Sequence, residues 1–541
     1  MSPNKNRVEL KIAGKTFCGG CCNSSDPEAD GGLSRRSFLQ GVGAAGAALG
    51  SVAFAAEEGR NDSSRPVPGQ PFPRGKTLRV KPAILALALH DTLPKPNTMT
   101  RSWRAYGGIQ TPADLQKEVQ RLEKDMNELA AKSDFPVEFL PMAAVHNLAE
   151  AQQVAAGDQD VVLIFGASGY DGGRLSSVIA SKSPGIYFVR HRTEPHYAGH
   201  TTIGRYILRH DTDASIDPNL DASDVVVDDY GEILWRLRAI YGLKNAKGTK
   251  VLAIGGLQHY SRLGQQHAPK HAQDVWGYGV EVVSLEEFGK RLTAARADRK
   301  VVDAAEQQTG ALLAQPNVTL RTDRKFVFNS LMALRVAKEL MKEKGATNFG
   351  FAGCMGNSVI GMLDTPPCLV LALANDEGLT AYCHTDLMHT MPGVLLRWIS
   401  SQPAFVANSH FPHDGIYTVA HCSAPRKMNG KNYEPTDVVT HYESDYGAAT
   451  KVHYTKGQTV TVVIPAHDCS KWQGFRGKIV DSPSRPACRS QMDIEVDGDW
   501  QKLENQVGYH VLVSYGDWLR EVGHALRKLK NGPAWENFSE A

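Results

Sequence analysis

The chain lacks the charge imbalance and the long apolar runs that mark nucleic-acid-binding and membrane-spanning proteins. Its 541 residues include 60 Lys and Arg against 58 Asp and Glu, a formal net charge of +2. This near balance provides no broad basic surface, so we expect no nucleic-acid partner. Beyond residue 56, no apolar run approaches the roughly 20 residues that a membrane-spanning helix requires. The composition is therefore typical of a globular protein.

Cysteine is missing from residues 23–353, more than half of the chain. Cys18, Cys21 and Cys22 lie close together near the start, but no second ligand pair follows them at zinc-site spacing. The other six cysteines all follow residue 353. An oxidising compartment would permit disulfide bonds among these six. Cys469 with Cys488 is a reasonable pair, although spacing alone does not fix the connectivity.

A complete dinucleotide-binding fingerprint is also missing. Gly166-Ala-Ser-Gly169 and Gly255-Gly256 each follow an apolar run, but neither completes the G-x-G-x-x-G spacing with its later acidic partner. We interpret both as turns that end buried strands.

The first 56 residues have the order of parts that is typical of a twin-arginine export signal. Arg35 and Arg36 precede a Gly- and Ala-rich apolar stretch, and Ala53-Phe54-Ala55 supplies small residues for signal peptidase. We expect this region, 1–56, to engage the twin-arginine translocation machinery and to be removed near Ala56. The mature protein would be exported to the periplasm, or membrane-anchored if the signal is not cleaved.

A linker and an α/β domain are predicted next. Residues 57–75 are rich in Pro, Gly and Ser and are predicted to be the linker. Residues 76–224 are predicted to form an N-terminal domain of buried parallel strands and helices. Its strand-like runs are 82–89, 161–165 and 185–189, and its clearest helix is 112–132.

Two further domains are predicted, at 225–356 and 357–541. The second α/β domain contains a helix at 230–240, strands at 249–254 and 280–283, and one long helix at 284–308. The last domain contains strand-like runs at 368–372, 417–420 and 459–464 and a closing helix at 517–530. The predicted fold class is α/β: two doubly wound parallel-sheet domains, then a mixed α+β domain with an antiparallel sheet.

Histidine is concentrated in this last region, which makes it the best place to look for chemistry. Imidazole is the commonest metal ligand and the usual acid or base near neutral pH. Eight histidines in one domain raise the chance that some of them converge. They are His384, His389, His410, His413, His421, His441, His467 and His510.

Three motifs of this region resemble, in order, segments of the L-fucose/L-arabinose isomerase superfamily. The motifs are Tyr382-Cys-His-Thr-Asp386 with the downstream Pro403-Ala-Phe405, Ala420-His-Cys422, and Tyr509-His510 with the downstream Tyr515-Gly-Asp517. The two preceding α/β domains also fit the family's architecture. The resemblance covers nearly all of the mature chain.

The resemblance implies a divalent metal, usually Mn²⁺, held by a Glu, an Asp and a His. The metal bridges two sugar oxygens while carboxylates move protons through an enediol. In this chain the three ligand positions are His384, Asn408 and His510, and we assign His384, Asn408 and Asp386 as catalytic. A nitrogen-rich set favours zinc over Mn²⁺.

The missing carboxylate base has three candidates, Asp386, Glu377 and Asp414. The resemblance also implies self-association as a homotrimer or homohexamer.

Substrate contacts are predicted at two strand ends and in one motif. Trp103 and Arg104 follow the first strand, where ligand-contacting loops lie in open parallel sheets. An indole there could stack on a sugar face, and a packed aromatic is the alternative. Gln258, His259 and Tyr260 lie at an equivalent strand end. His421 is the remaining candidate for contact with a small carbohydrate ligand.

Three functions remain open at this point. The first is a metal-dependent aldose–ketose isomerase or a relative that uses the same enediol chemistry. The second is an exported sugar-binding protein with a degenerate isomerase site. The third is a metal-dependent lyase or epimerase in the same cleft, since fold analogy alone does not fix a reaction.

Overall fold

The structure is a computed structural model that describes residues 67–69, 72–87, 89, 108–168, 172–208, 219–354 and 356–539. The predicted export signal, most of the predicted linker, and Trp103 and Arg104 lie outside these residues.

The first part of the described chain builds a parallel sheet with flanking helices. The sheet order is β3-β2-β5-β6-β7, and β4 also pairs with β2. Capping fixes the start of α1, because the Thr111 hydroxyl accepts from the Asp114 amide. The strands are β1 Val67–Pro68, β2 Leu78–Ala86, β3 Val137–Phe139, β4 Ala143–Val145, β5 Val161–Ser168, β6 Gly185–Val189 and β7 Val225–Val227. The helices are α1 Pro112–Lys132, α2 Leu148–Ala155, α3 Gly172–Ile179 and α4 Gly231–Ala246.

A second parallel sheet follows, in the order β12-β11-β8-β9. Its last strand, β12, ends immediately before His384. Strands of this part are β8 Lys250–Ile254, β9 Gly279–Val283, β10 Val318–Leu320, β11 Asn348–Phe351 and β12 Thr380–Cys383. Its helices are α5 Arg262–Asp274, α6 Leu285–Ala297, α7 Arg299–Leu313, α8 Arg324–Lys344, α9 Asn357–Leu363 and α10 Cys368–Asp376.

The last part is a closed antiparallel barrel. Six strands follow one another in the order β18-β21-β13-β14-β20-β19, and β19 pairs back to β18, which leaves no open edge between them. Strand β22 adds to β19 in parallel. The elements are α11 Leu387–Ser400, β13 Phe405–Ser409, β14 Ile416–His421, β15 Asn432–Tyr433, β16 Thr436–Val439, β17 Ala449–Val452, β18 Thr459–Pro465, β19 Lys471–Asp481, β20 Ser490–Asp497, β21 His510–Tyr515, α12 Leu519–Arg527 and β22 Ala534–Asn537.

Smaller pairings and turns complete the chain. Strand β16 pairs with β10 in parallel and with β17 in antiparallel fashion, and β1 pairs with β15. The short helical turns are Ala198–Thr202, Ile203–Ile207, Ala222–Asp224 and Trp500–Asn505. Within the described residues no single helix meets the length and apolarity of a membrane span. The consecutive helices α9 and α10, bent by 67°, meet them only as a pair.

The coarse fold prediction is confirmed: the protein is mixed α/β, with parallel sheets and an antiparallel, barrel-like sheet. Two element predictions are wrong. The run 368–372 belongs to a helix, α10, because every residue of that helix is buried and no polar face reveals its period. The single helix predicted at 284–308 is two helices, because the Asp298 side chain caps a new start, α7.

Candidate functional site

The site lies where the carboxyl ends of the second sheet meet the barrel. Gln258 to Tyr260 follow β8 through Gly255 and Gly256, whose φ values of 86° and 98° suit glycine. His384 follows β12 in the same sheet. From the barrel, Asn408 and His510 are direct partners on the neighbouring strands β13 and β21. Residues that are far apart in sequence therefore share one buried region.

His384 is held so that one ring nitrogen is available for a ligand. Its Nδ1 lies 2.9 Å from Gln258 Oε1, an oxygen that also accepts from the Gly353 amide. Since this oxygen can only accept, Nδ1 carries the proton and Nε2 keeps its lone pair. The Nε2 atom is buried and has no hydrogen-bond partner among the described residues. The backbone φ of 58° is unusual for a histidine, and such conformations often occur at functional sites.

His389 and His421 are held in opposite ways. His389 Nε2 lies 3.1 Å from the carbonyl oxygen of Cys383 and must donate, which leaves the lone pair on its buried Nδ1. His421 Nδ1 instead accepts from the Ser423 amide at 3.2 Å, so its Nε2 carries the proton. The first ring therefore presents an acceptor nitrogen, and the second presents a donor.

Tyr260 packs against two of these imidazoles. Its ring centroid is 4.0 Å from that of His510 and 5.6 Å from that of His384. The His510 ring is 5.4 Å from His389 and 6.4 Å from His421. We call His384, His389, His421 and His510 the histidine cluster.

Burial disfavours the charged form of three of these four imidazoles. It lowers the pKa of His389 to about 4 and that of His421 to about 3; neighbouring imidazoles act in the same direction, while Asp386 and Glu443 oppose it. Burial, reinforced by the other histidines, also holds the pKa of His510 well below its usual range. Because neutral imidazole is the form that binds metals, the cluster is chemically suited to a cation.

Asp386 lies beside the cluster, but its carboxylate already accepts hydrogen bonds from backbone amides. Its two carboxylate oxygens accept from the amides of Met388 and Tyr260, each at 2.8 Å, and the first of these bonds caps α11. His259 Nε2 lies 3.9 Å from the same carboxylate. Asp386 is the only one of the three predicted carboxylate candidates that reaches this region.

The other two candidates lie elsewhere, which corrects that part of the prediction. Glu377 follows α10 and forms an ion pair with Lys338 at the surface. Asp414 lies in an exposed turn between β13 and β14. Two partly or fully exposed carboxylates cannot serve a buried cluster.

Five thiol and carboxylate groups near the cluster were missed by sequence reasoning. Cys354 and Cys383 have their sulfur atoms 3.2 Å apart. Cys422, Glu443 and Cys488 form a second group whose ligand atoms lie within 4.8 Å of one another. The adjacent pairs Cys383-His384 and His421-Cys422 were the available signal, since each couples a thiol to a cluster histidine.

The expected pairing of Cys469 with Cys488 is wrong. None of the six cysteines after residue 353 forms a disulfide bond. Cys469 packs against the apolar residues around Trp472, whereas Cys488 packs with Cys422 in a separate apolar cluster. The polypeptide between them includes β19, one strand of the barrel, which keeps the two cysteines apart and which sequence spacing does not reveal.

Two of these thiols are acidic. The hydrogen bond with Cys383 lowers the pKa of Cys354 to about 6, and His384 contributes. Burial raises the pKa of Cys422, but the hydrogen bond with Cys488 and the nearby His441 outweigh it and lower that pKa to about 7. Thiolate is the nucleophilic and metal-binding form of cysteine, so both groups are poised for such chemistry.

The donor set decides which metal the region fits. His384 has an open lone pair, and one of its ring nitrogens lies within 4.8 Å of the Cys354 and Cys383 sulfur atoms, a donor set that suits zinc or another borderline transition metal. Mn²⁺ prefers carboxylate oxygens, and Asp386, the predicted carboxylate that lies beside the cluster, already accepts two backbone hydrogen bonds. The residues therefore fit a zinc-like ion and do not fit Mn²⁺.

Comparison with protein families and with curated proteins finds no match to this chain. Its function has to be inferred from the residues of the site.

Proposed function

We propose that this protein is a metal-dependent, carbohydrate-active enzyme that carries out aldose–ketose isomerisation or related enediol chemistry. The observation that carries the proposal is the convergence of His384 and His510 on Tyr260 in one buried cluster. Both are ligand positions of the family that the chain resembles, and each has a buried ring nitrogen without a partner among the described residues.

The proposed roles follow from the donor chemistry. His384 and His510 would hold a divalent ion, preferably zinc, and Asn408 would present its amide oxygen beside them. The ion would polarise a sugar carbonyl. Gln258 fixes the tautomer of His384 through Nδ1. Asp386, coupled to His259, is the carboxylate to which we assign proton transfer between the two carbons.

Sugar recognition is proposed for polar groups around the cluster. His421 presents an N–H, and Tyr260 presents a ring face to an adjoining ligand. Gln258 and His259 come from the same strand end. Trp103 and Arg104 stay predicted substrate contacts.

A degenerate, sugar-binding site is the second candidate. It is favoured by one observation: both oxygens of Asp386 already accept backbone hydrogen bonds. A lyase or epimerase reaction in the same cleft is the third.

The export route, the domain architecture and the oligomeric state are proposals as well. We propose that residues 1–56 direct twin-arginine export to the periplasm, that the two parallel-sheet regions are doubly wound domains, and that the protein forms a trimer or hexamer. Replacing Arg35 and Arg36 with lysine should leave the protein in the cytoplasm. Normal export of that variant would contradict the signal assignment.

Proton exchange tests the reaction. Zinc-loaded protein is incubated in D₂O with a panel of pentoses and 6-deoxyhexoses, and the C2 proton signal is followed by NMR. We expect the signal to be lost with at least one sugar. His510→Ala should abolish the exchange, whereas His413→Ala, in an exposed turn, should not.

No exchange across the panel, with metal shown to be bound, would refute the enediol reaction. If sugars then still bound in a calorimetric titration, the binding-protein alternative would take its place.

A further inference from the structure

The second thiol group lies where two barrel strands end beside a hairpin turn. Strands β14 and β20 are antiparallel, and their ladder ends with His421 opposite Ser490. Cys422 follows β14 and Cys488 precedes β20, so both thiols lie just beyond this last pair. Glu443 reaches them from the turn between β16 and β17.

The separations within this group match one small cation. One ligand atom from each of Cys422, Glu443 and Cys488 lies within 4.8 Å of the others, and Cys488 Sγ is 3.6 Å from Glu443 Oε1. Zinc bonds of about 2.3 Å to sulfur and about 2.0–2.2 Å to oxygen place tetrahedral ligands about 3.5–3.8 Å apart. The group is therefore already close to a coordination geometry.

Hydrogen-bond donors point at both sulfur atoms. The backbone amide of Arg489 donates to Cys422 Sγ at 3.5 Å, and the Asn408 side-chain amide lies 4.0 Å from Cys488 Sγ. The Arg489 guanidinium in turn donates to the Thr440 carbonyl and hydroxyl, which holds the hairpin turn against the strand end. Such outer donors stabilise thiolate ligands and fix their direction.

His441 positions the carboxylate. Its Nδ1 accepts from the Ser444 amide at 3.3 Å, so the proton lies on Nε2, which is 2.7 Å from Glu443 Oε2. This bond occupies one carboxylate oxygen and leaves Oε1 toward the thiols. His441 is therefore a positioning residue and not a ligand. The Glu443 side chain stays 30% exposed, which gives an ion a route from solvent.

We propose that Cys422, Glu443 and Cys488 form a second metal site, selective for a thiophilic divalent ion such as Zn²⁺. The site uses none of the residues assigned to the sugar metal. Asn408 links the two sites, because its side-chain amide faces Cys488 and it is the cross-strand partner of His510. Two thiolates, one carboxylate and a fourth position open to water or another donor complete the coordination.

Metal content and sulfur ligation test this site on the full mature chain. Protein stripped with a chelator and reduced is reloaded with Zn²⁺ or Co²⁺, and bound metal is counted by mass spectrometry. We expect Co²⁺ to give thiolate charge-transfer absorption and Zn²⁺ to show a sulfur shell at about 2.3 Å in X-ray absorption. Cys422→Ser and Cys488→Ser should each lose one equivalent of metal and both sulfur signatures.

Matched variants separate this site from its neighbours. Cys469→Ser removes a buried thiol from a different cluster and should change neither metal content nor spectrum. Glu443→Gln should keep the fold but bind this metal about 10-fold or more weakly. His510→Ala should lose the sugar metal and keep the sulfur signatures. The two proposals can therefore fail independently: the proposed function is judged by the sugar metal and proton exchange, and this site by the sulfur signatures.

Three results would overturn the proposal. The first is retention of the sulfur signatures in both Cys422→Ser and Cys488→Ser. The second is their loss in Cys354→Ser alone, which would move the thiolate site to the other pair. The third is a Cys422–Cys488 disulfide found by peptide mapping in protein isolated without reductant, with no metal bound. Circular dichroism of each variant establishes that it is folded.

Discussion

At the scale of single residues, the imidazoles differ in which nitrogen carries the proton, and their neighbours impose the difference. Gln258 and the Cys383 carbonyl force His384 and His389 to donate from one nitrogen, and Ser423 forces His421 to accept. Two rings are thereby prepared to bind a cation and one to donate to a ligand. These neighbours carry no charge, so they select the tautomer of each ring through the direction of a hydrogen bond.

Gln258→Ala is expected to weaken metal binding without removing any ligand. His384 would lose the acceptor that fixes its tautomer, and loss of such a partner typically costs about 10–100-fold in metal affinity. Competition with a chromogenic chelator measures the change. Gln308→Ala, in an exposed position of α7, is the control. An unchanged affinity in Gln258→Ala would contradict the orienting role.

Glu521 is expected to make stability depend on pH. Burial raises the pKa of this carboxyl to about 7, so the folded state binds its proton more tightly than the unfolded state does. The free energy of unfolding should therefore fall as pH rises from about 4.5 to about 7 and stay low above that, by about 3 kcal/mol in total.

Glu521→Gln should remove this fall, so the variant should be more stable than the wild type at pH 8 and similar to it at pH 4.5. Thermal unfolding at both pH values measures the difference. Glu504→Gln, an exposed glutamate, should not change it. Parallel pH profiles for wild type and Glu521→Gln would disprove the shift.

At the scale of elements, a glycine permits two helices to pack closely. Helices α4 and α11 touch at Gly242, where an added Cβ would lie 2.3 Å from Ile399 Cγ1. Gly310 lies in α7 with no atom within 4 Å of such a Cβ. The same substitution therefore has opposite consequences at the two positions.

Gly242→Ala should destabilise the protein by about 1–3 kcal/mol, because overpacking outweighs the better helix propensity of alanine. Gly310→Ala should stabilise it by up to about 1 kcal/mol, because only the propensity changes. Chemical denaturation of both variants provides the comparison. Equal effects of the same sign would show that the close contact does not exist.

At the scale of the whole molecule, the final helix connects the barrel to the first α/β part. Lys528 Nζ forms an ion pair with Asp224, and both side chains are fully buried. Arg520 forms a second ion pair with Glu232 at the start of α4. Two segments that are 304 residues apart in sequence are thus held together by charge as well as by packing.

Lys528→Met is expected to destabilise the protein by about 3–5 kcal/mol, because it leaves the Asp224 carboxylate buried without its partner. The burial that already raises the pKa of Asp224 to about 6 would then be opposed mainly by the hydrogen bond from the Asp221 amide. The double variant with Asp224→Asn should recover much of the loss. A single Lys528→Met variant as stable as the wild type would refute the coupling.

Local patterns determined much of the fold. The amphipathic spacing and the Thr111 cap defined α1, and the apolar runs defined β5, β6 and β18. Patterns failed where burial is complete, as in α10, because an all-apolar segment has no period. They also failed at Asp298, where one side chain ends one helix and begins the next.

Some residues of the candidate site could be predicted from sequence, and others could be found only in the tertiary structure. Residue type and motif order alone selected His384, His421 and His510, because histidine is a common metal ligand and acid or base in any fold. Only the tertiary structure brought Glu443 to Cys422 and Cys488, separated Cys469 from Cys488, and moved Glu377 and Asp414 away. The physical reason is that a ligand set is a matter of distance, and the distance between strand ends is fixed by sheet register and barrel closure, which no local pattern contains.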